Sequence, residues 1–389
     1  MRVLHITNSY GGTAVYTNLY TAIDHNFDVE QWVYVPLNSR NHSRVGNMMI
    51  DFRNKGSHIH YATILKRYHS YLYGAKISTI VKDIERTFDM KQVDMIHAST
   101  LCLDGAAAYE LSKKYGIPYI VAVRNTDVHT YYDKLFWRKP YFTKVLLNAE
   151  KVVFISPKYK ENFLIHQVPS SKRALAESKM MVIPNGVNKV FLENKNTAKK
   201  ELGDEFKLIF VAAFYDGKGL VETIQAIDKL RAQGMKISLN AIGKGLPNRP
   251  QDGEYIKKVE ALAEGKDWIK LQPFKKPQEI IEEMRQSDAF VMVSSPETFG
   301  LVYVEALTQR LPIIYAHDEG FDGFYKDGFA GYPAHAGSVD SIAEAIENLI
   351  KNYDVIAKNI TTLDLDKDFE WNKIGMKYLN MYNEIVSNK

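Results

Sequence analysis

Apolar, β-branched runs alternate with helix-compatible stretches along the whole chain, and the alternation occurs twice. In the first half, residues 3–7, 29–35, 95–98, 119–123 and 152–155 read as buried strands, with helical patterns between them at 14–23, 72–86 and 105–115. The last of these stops where Gly116 and Pro118 end a helix. The pattern restarts at 207–212 and continues through 236–242, 268–271, 289–293 and 311–315. Strands that are near-continuous apolar runs separated by helices predict parallel sheets covered on both faces. The expected fold class is α/β, with two doubly wound, Rossmann-like domains.

Residues 181–188 read Met-Val-Ile-Pro-Asn-Gly-Val-Asn, a strand end followed by turn residues, and a polar stretch follows at 193–200. A boundary here separates an N-terminal domain over 1–188 from a C-terminal domain over 189–371. Residues 374–385 carry an amphipathic helical pattern after Asp368-Phe369-Glu370-Trp371, which predicts a final helix over about 372–389.

A chain of 389 residues with 46% hydrophobic and 25% charged content suits two folded domains. No signal-peptide layout precedes the first strand, and no apolar run nears the roughly 18–20 residues that span a bilayer, so a cytoplasmic location is expected. The single cysteine, Cys102, cannot form an internal disulfide and reads as a small buried hydrophobe between two leucines. The net charge of +4 conceals an asymmetry: residues 1–190 hold 25 Lys and Arg against 15 Asp and Glu, the remainder 25 against 31. A basic first half suits an acidic substrate, an anionic membrane or nucleic acid, and charge does not choose among them.

The most informative segment is Ser294-Ser295-Pro296-Glu297-Thr298-Phe299-Gly300-Leu301-Val302-Tyr303-Val304-Glu305-Ala306. It follows a buried strand and opens a helix, so the backbone amides of Phe299, Gly300 and Leu301 lie at a helix N-terminus that favours a phosphate or oxyanion. Glu297 in the turn and Glu305 on the helix can accept hydrogen bonds from hydroxyls. The segment closely resembles the Glu-x7-Glu motif of retaining GT-B glycosyltransferases, family four (glycosyl transferases group 1). That resemblance implies two facing Rossmann-like domains with a cleft between them and a C-terminal helix crossing back onto the first. It also implies a metal-independent transfer of a hexose from a nucleotide sugar, here expected to be UDP-linked, with Glu297 in a catalytic role and no cofactor.

Other segments extend the resemblance. The turn Asn8-Ser9-Tyr10-Gly11-Gly12-Thr13 lets backbone approach a phosphate or sugar, though a tight turn alone also needs such glycines. Lys218, in Asp216-Gly217-Lys218-Gly219, matches the family lysine that contacts the donor diphosphate. Gly243 and Lys244 match the Ile-Gly-x-Gly turn, and Phe274 stands where the donor base is read. The chain departs from the family at Ala212-Ala213, where Gly-Arg is usual, and at Arg124, where a histidine is usual in the stretch beneath the transferred sugar. Arg cannot act as a general base, so Arg124 is expected to bind an acceptor or donor anion and Asp127 to activate the acceptor; a structural Arg124–Asp127 ion pair is the alternative. His129 is a further candidate. In family members the departing phosphate is thought to take the acceptor proton, so a protein base is not required.

The stretch from Tyr131 to Leu147 interleaves aromatic and basic residues, as does Lys66-Arg67-Tyr68-His69-Ser70-Tyr71-Leu72-Tyr73. Such mixtures suit an anionic bilayer surface, and they equally suit an acceptor cleft or core. The reading is a retaining glycosyltransferase serving a glycan or lipid-linked acceptor in bacterial surface polysaccharide or glycolipid assembly, peripheral on the inner face of the plasma membrane, with no nucleic-acid partner. A nucleotide-sugar epimerase and a non-catalytic GT-B subunit remain as alternatives.

Overall fold

Thirteen short strands, each bounded by a helix or turn, assemble into two all-parallel sheets in a computed structural model that describes residues 1–26, 28–198, 200–244 and 253–388. The chain divides into two compact units. Unit 1 comprises residues 1–155, 160–186 and 371–389; unit 2 comprises 156–159 and 187–370.

Unit 1 holds β1 (Arg2–Ile6), β2 (Glu30–Asn38), β3 (His58–Leu65), β4 (Met95–Ala98), β5 (Tyr119–Ala122), β6 (Lys151–Phe154) and β7 (Met180–Val182), in the order β3-β2-β1-β4-β5-β6-β7. The strand β3 lies outside the sequence expectation because His58, His60 and Tyr61 break its apolar run; its inner residues pair in parallel with β2, as in Val33 with Ile59. The central strands β4 and β5 are buried along their whole length and apolar except for His97, which is what a sheet covered on both faces demands. The final helix, Trp371–Ser387, belongs to this unit. Its Ile374, Tyr378, Met381, Tyr382 and Ile385 join Tyr16, Leu19, Tyr20 and Ile23 of the first helix, Ala14–Asn26, in one core. The two helices approach closely at Gly375, where a Cβ would stand 3.0 Å from the Ala22 carbonyl carbon.

Unit 2 holds β8 (Phe206–Val211), β9 (Ile237–Lys244), β10 (Ile269–Pro273), β11 (Ala289–Val291), β12 (Ile313–Ala316) and β13 (Gly331–Ala334), in the order β10-β9-β8-β11-β12-β13. Both sheets therefore reverse direction once, between β1 and β4 in unit 1 and between β8 and β11 in unit 2. At such a switch point the loops leaving the two adjacent strands diverge to opposite faces and leave a crevice beyond their carboxyl ends. The Gly11-Gly12 turn, Lys218 and Glu297 fall on these loops.

Candidate functional site

In unit 2 the loop after β8 carries Lys218 and the loop after β11 carries Glu297. The switch point brings them together: Lys218 Nζ lies 2.9 Å from Glu297 Oε2 and 3.1 Å from Ser294 Oγ. Both side chains are largely enclosed, at 14% and 15% exposure, so the pair is screened weakly and its geometry is held. Burial alone would lower the Lys218 pKa, but the Glu297 carboxylate outweighs it and leaves the pKa raised. The backbone joins the loops as well, through Ser295 N–H to the Gly217 carbonyl at 2.9 Å. Gly219, with φ 77°, is required here, since a Cβ would come within 2.5 Å of the Val293 carbonyl oxygen.

The turn before the helix Leu301–Thr308 includes a cis Ser295–Pro296 bond. Glu297 Oε1 accepts from the amides of Thr298 at 3.1 Å and Phe299 at 3.4 Å. Glu319, on the loop after β12, accepts from Ser295 Oγ at 2.7 Å and from the Glu297 amide at 3.0 Å. The amides of Gly300 and Leu301 are left at the head of the helix. Gly300 has φ 76°, and a Cβ there would strike the Tyr303 ring at 2.3 Å. The carboxylate of the half-buried Glu305, one turn along, has neither a hydrogen bond nor an ion pair among the described residues, and burial pushes its pKa up to about 7. A half-buried acid without a partner is a candidate for a functional site.

The remaining unit 2 candidates differ from expectation in part. Gly243 needs its glycine, because a Cβ would overlap the Ala212 carbonyl oxygen at 1.9 Å. Lys244 is not a free extra cation: its ammonium pairs with Glu260. Gly245 lies outside the described residues. Phe274 is 65% exposed and offers a ring face. The Phe299 ring is buried against Phe321, Phe324 and Phe369, so only its backbone is available, and its amide already serves Glu297.

In unit 1, Gly11 and Gly12 lie on the loop after β1, and Gly11 adopts φ 74°. The Arg44 guanidinium rests on Gly12, with atoms 3.1–3.3 Å from where a Cβ would stand. Asn8 on the same loop donates through Nδ2 to Asp104 at 2.9 Å. Asp104 is fully buried, which pushes its pKa up to about 7. Asp127, on the loop after β5, is also fully buried; its carboxylate accepts the amides of Leu101 at 3.2 Å, Cys102 at 2.7 Å and Arg124 at 2.8 Å. Burial raises its pKa against those three amides. The arrangement makes Asp127 a backbone clamp, poorly placed to take a proton from an acceptor. The alternative of an Arg124–Asp127 side-chain ion pair does not form either: the contact runs through the Arg124 amide. His129 is exposed, 3.7 Å from Asp133. Cys102 is free and buried.

Among the described residues, the grouping compact enough to hold a cation is His317, Asp318 and Asp322, where Asp318 already pairs with Lys158 at 3.0 Å. The functional neighbours that sequence reasoning missed are Glu319, Asp104 and Arg44. None sits in a motif; only the return of β12 beside β11, and of β4 beside β1, brings the first two to the turns they hold.

Comparison with known proteins bears on the whole chain. Residues 193–362 match the family model described as glycosyl transferases group 1, and residues 25–190 match that described as glycosyltransferase family 4. The uncharacterized glycosyltransferase MJ1178 of Methanocaldococcus jannaschii is 26% identical over 332 residues, covering 84% of this chain and 85% of the relative. The alpha-monoglucosyldiacylglycerol synthase of Acholeplasma laidlawii is 28% identical over 67% of this chain and 68% of its own length. The crystal structure of Anabaena Alr3699/HepE in complex with UDP matches with a TM-score of 0.70 at 15% identity, over 99% of this chain and 100% of that one. The fold is thus that of the GT-B glycosyltransferases.

Replacing Glu319 by Ala strands the Ser295 hydroxyl and the Glu297 amide. We expect urea unfolding of unit 2 to show a loss of about 1–3 kcal/mol; wild-type stability would mean the turn stands without this carboxylate.

Proposed function

This chain belongs to the glycosyl transferases of group 1, family four, and on that footing we propose that it moves a hexose, with retention at the anomeric carbon, from a UDP-linked donor to a glycan or lipid-linked acceptor. The observation that carries the reading is the Lys218–Glu297 pair at the unit 2 switch point, one helical turn from the unpartnered Glu305. During transfer the bond from the anomeric carbon to the donor phosphate breaks and a bond to the acceptor oxygen forms. Negative charge develops on the departing diphosphate. The Lys218 ammonium and the amides of Gly300 and Leu301 are a preorganised receptor for that charge, and such groups stabilise a transition state without reorganisation. Glu305 is suited to the ribose hydroxyls and Glu297 to hydroxyls of the sugar. The acceptor proton passes to the departing phosphate oxygen, consistent with Asp127 being held by backbone. Lys218 and the helix head supply the electrostatic part of the work that a divalent ion does in other transferases. The Acholeplasma relative, named for a glucosylated diacylglycerol, and the UDP complex of HepE support the choice of donor and acceptor class.

Part of the surface of unit 1 supports peripheral contact with an anionic membrane. Within the Tyr131 to Leu147 stretch, Tyr132, Phe142, Val145 and Leu146 are core, while Phe136 and Trp137 project beside Lys134 and Arg138. Tyr68, Tyr71 and Leu72 project beside Lys66 and Arg67, whereas Tyr73 is buried under the Arg138 guanidinium at 4.8 Å. The two exposed groups are therefore neighbours, and aromatic rings among cations partition to the bilayer interface. No helix among the described residues is long and apolar enough to cross a membrane.

Transfer is tested by incubating donor with and without a lipid-linked acceptor and following nucleotide release and the product anomer. We expect acceptor-dependent release, an anomer matching the donor, and loss of at least about 100-fold in Glu297→Ala and Lys218→Ala, the scale of removing one charge-stabilising group. Conversion of the donor without acceptor would indicate an epimerase instead. For the membrane surface, Phe136→Ser/Trp137→Ser is expected to weaken sedimentation with anionic liposomes at low salt; absence of wild-type binding would remove the claim.

A further inference from the structure

Arg124 is a cation that its own unit does not neutralise. The residue is half-buried, and its Nη1 is enclosed with no hydrogen-bond partner. The hydroxyls of Tyr16, on the first helix, and Tyr378, on the C-terminal helix, lie close to the guanidinium. No carboxylate lies within ion-pair distance of it among the described residues. Two buried acids of the same unit are otherwise engaged: Asp127 holds three backbone amides and Asp104 holds Asn8. Behind the tyrosines stands His97, whose ring stacks on Tyr378 at 5.3 Å and whose Nδ1 meets the Tyr382 hydroxyl at 2.7 Å. Burial and the charge of Arg124 lower its pKa to about 3, so it is neutral and offers no counter-charge.

Half-burying a guanidinium without a counter-ion carries a desolvation cost, and tyrosine hydroxyls return dipoles rather than charge. A protein keeps such an arrangement where a ligand completes it. The planar guanidinium has no lone pair to take a proton, and its donor fork matches the two oxygens of a carboxylate or phosphate.

We propose that Arg124 is the receptor for an oxyanion carried by the substrate, either a carboxylate on the transferred sugar or a phosphate on the acceptor, and that Tyr378 is its positioning residue. The substrate class is thereby acidic, which rests on the chain being a glycosyltransferase. Tyr378 acts through Arg124: it fixes the guanidinium on one side while its ring is fixed by His97, so the C-terminal helix sets where the charge points.

Two measurements keep this inference separate from the transferase reading. In the first, wild-type protein is titrated with glucuronate, with inorganic phosphate and with glucose as the neutral control, and thermal stability is followed. Saturable stabilisation by at least one anion is expected, absent in Arg124→Gln and partly retained in Arg124→Lys. In the second, transfer is compared for UDP-glucuronic acid against UDP-glucose, and for phosphate-bearing against phosphate-free acceptors. A preference of about tenfold or more in kcat/KM, lost in Arg124→Gln, identifies the oxyanion as the sugar carboxylate in one arm or the acceptor phosphate in the other. Tyr378→Phe is expected to raise KM for the anionic substrate about tenfold with kcat and the unfolding midpoint little changed; a lower midpoint with unchanged KM would make Tyr378 merely structural. Neutral substrates used equally by wild type and Arg124→Gln, with no anion stabilisation, would overturn the proposal. If no substrate pair turns over, the transferase reading fails, and the anion titration alone decides whether Arg124 is a receptor.

Discussion

Everything at the unit 2 site depends on the ion pair between Lys218 and Glu297, two residues 79 positions apart that meet because β8 and β11 are neighbours where the sheet reverses. With both side chains about 15% exposed, neither charge can be left alone without cost; removal of one partner from an enclosed pair is worth about 3–5 kcal/mol. The pair thus fixes the two loops against each other. It also holds an ammonium against the turn that opens the helix Leu301–Thr308. The carboxylate is anchored on its other oxygen by two amides, so a ligand that draws the ammonium away does not release Glu297.

The two units use their acids in the same two ways. Some carboxylates hold backbone: Glu319 clamps the Glu297 turn, Asp127 ties three amides from two loops, and Asp104 holds Asn8 beside Gly11 and Gly12. These are stiff, buried and local in effect. Glu305 and Arg124 are different, since each is half-buried and lacks an oppositely charged partner among the described residues. Protein interiors rarely keep such groups without a use. The clamps give the turns their shape, and in our proposal the two unpaired charges mark what a ligand brings: hydroxyls at Glu305, an oxyanion at Arg124.

Much of this was legible in the sequence because the signals were local. Apolar runs placed the central strands, and the glycines of the Glu297 segment and of Gly217–Gly219 marked turns whose backbone leaves no room for a side chain. The strand β3 was missed because His58, His60 and Tyr61 disguise an edge strand that is only partly buried. Asp127 was read as an acceptor-activating acid because its stretch resembles the family segment beneath the transferred sugar; only folding brings Leu101 and Cys102 to its carboxylate. Lys244 looked free until the helix Gly253–Ala263 returned Glu260 to it. Tyr16 and Tyr378, 362 positions apart, share one guanidinium through the packing of the first helix on the last, which no local pattern encodes.

The central claim, that Glu305 receives the nucleotide part of the donor, is tested most directly by the affinity of a UDP-sugar between pH 6 and 8 in wild type and Glu305→Gln. The sugar diphosphate itself does not titrate in this range, so pH acts through the protein. Burial sets the free Glu305 pKa at about 7, and hydroxyls that donate to the carboxylate favour its charged form. Affinity is therefore predicted to rise as pH increases through 7 and to level off above it, with a weaker and pH-independent affinity in Glu305→Gln. Equal affinities for the two proteins, flat across the range, would contradict the account and place the donor elsewhere.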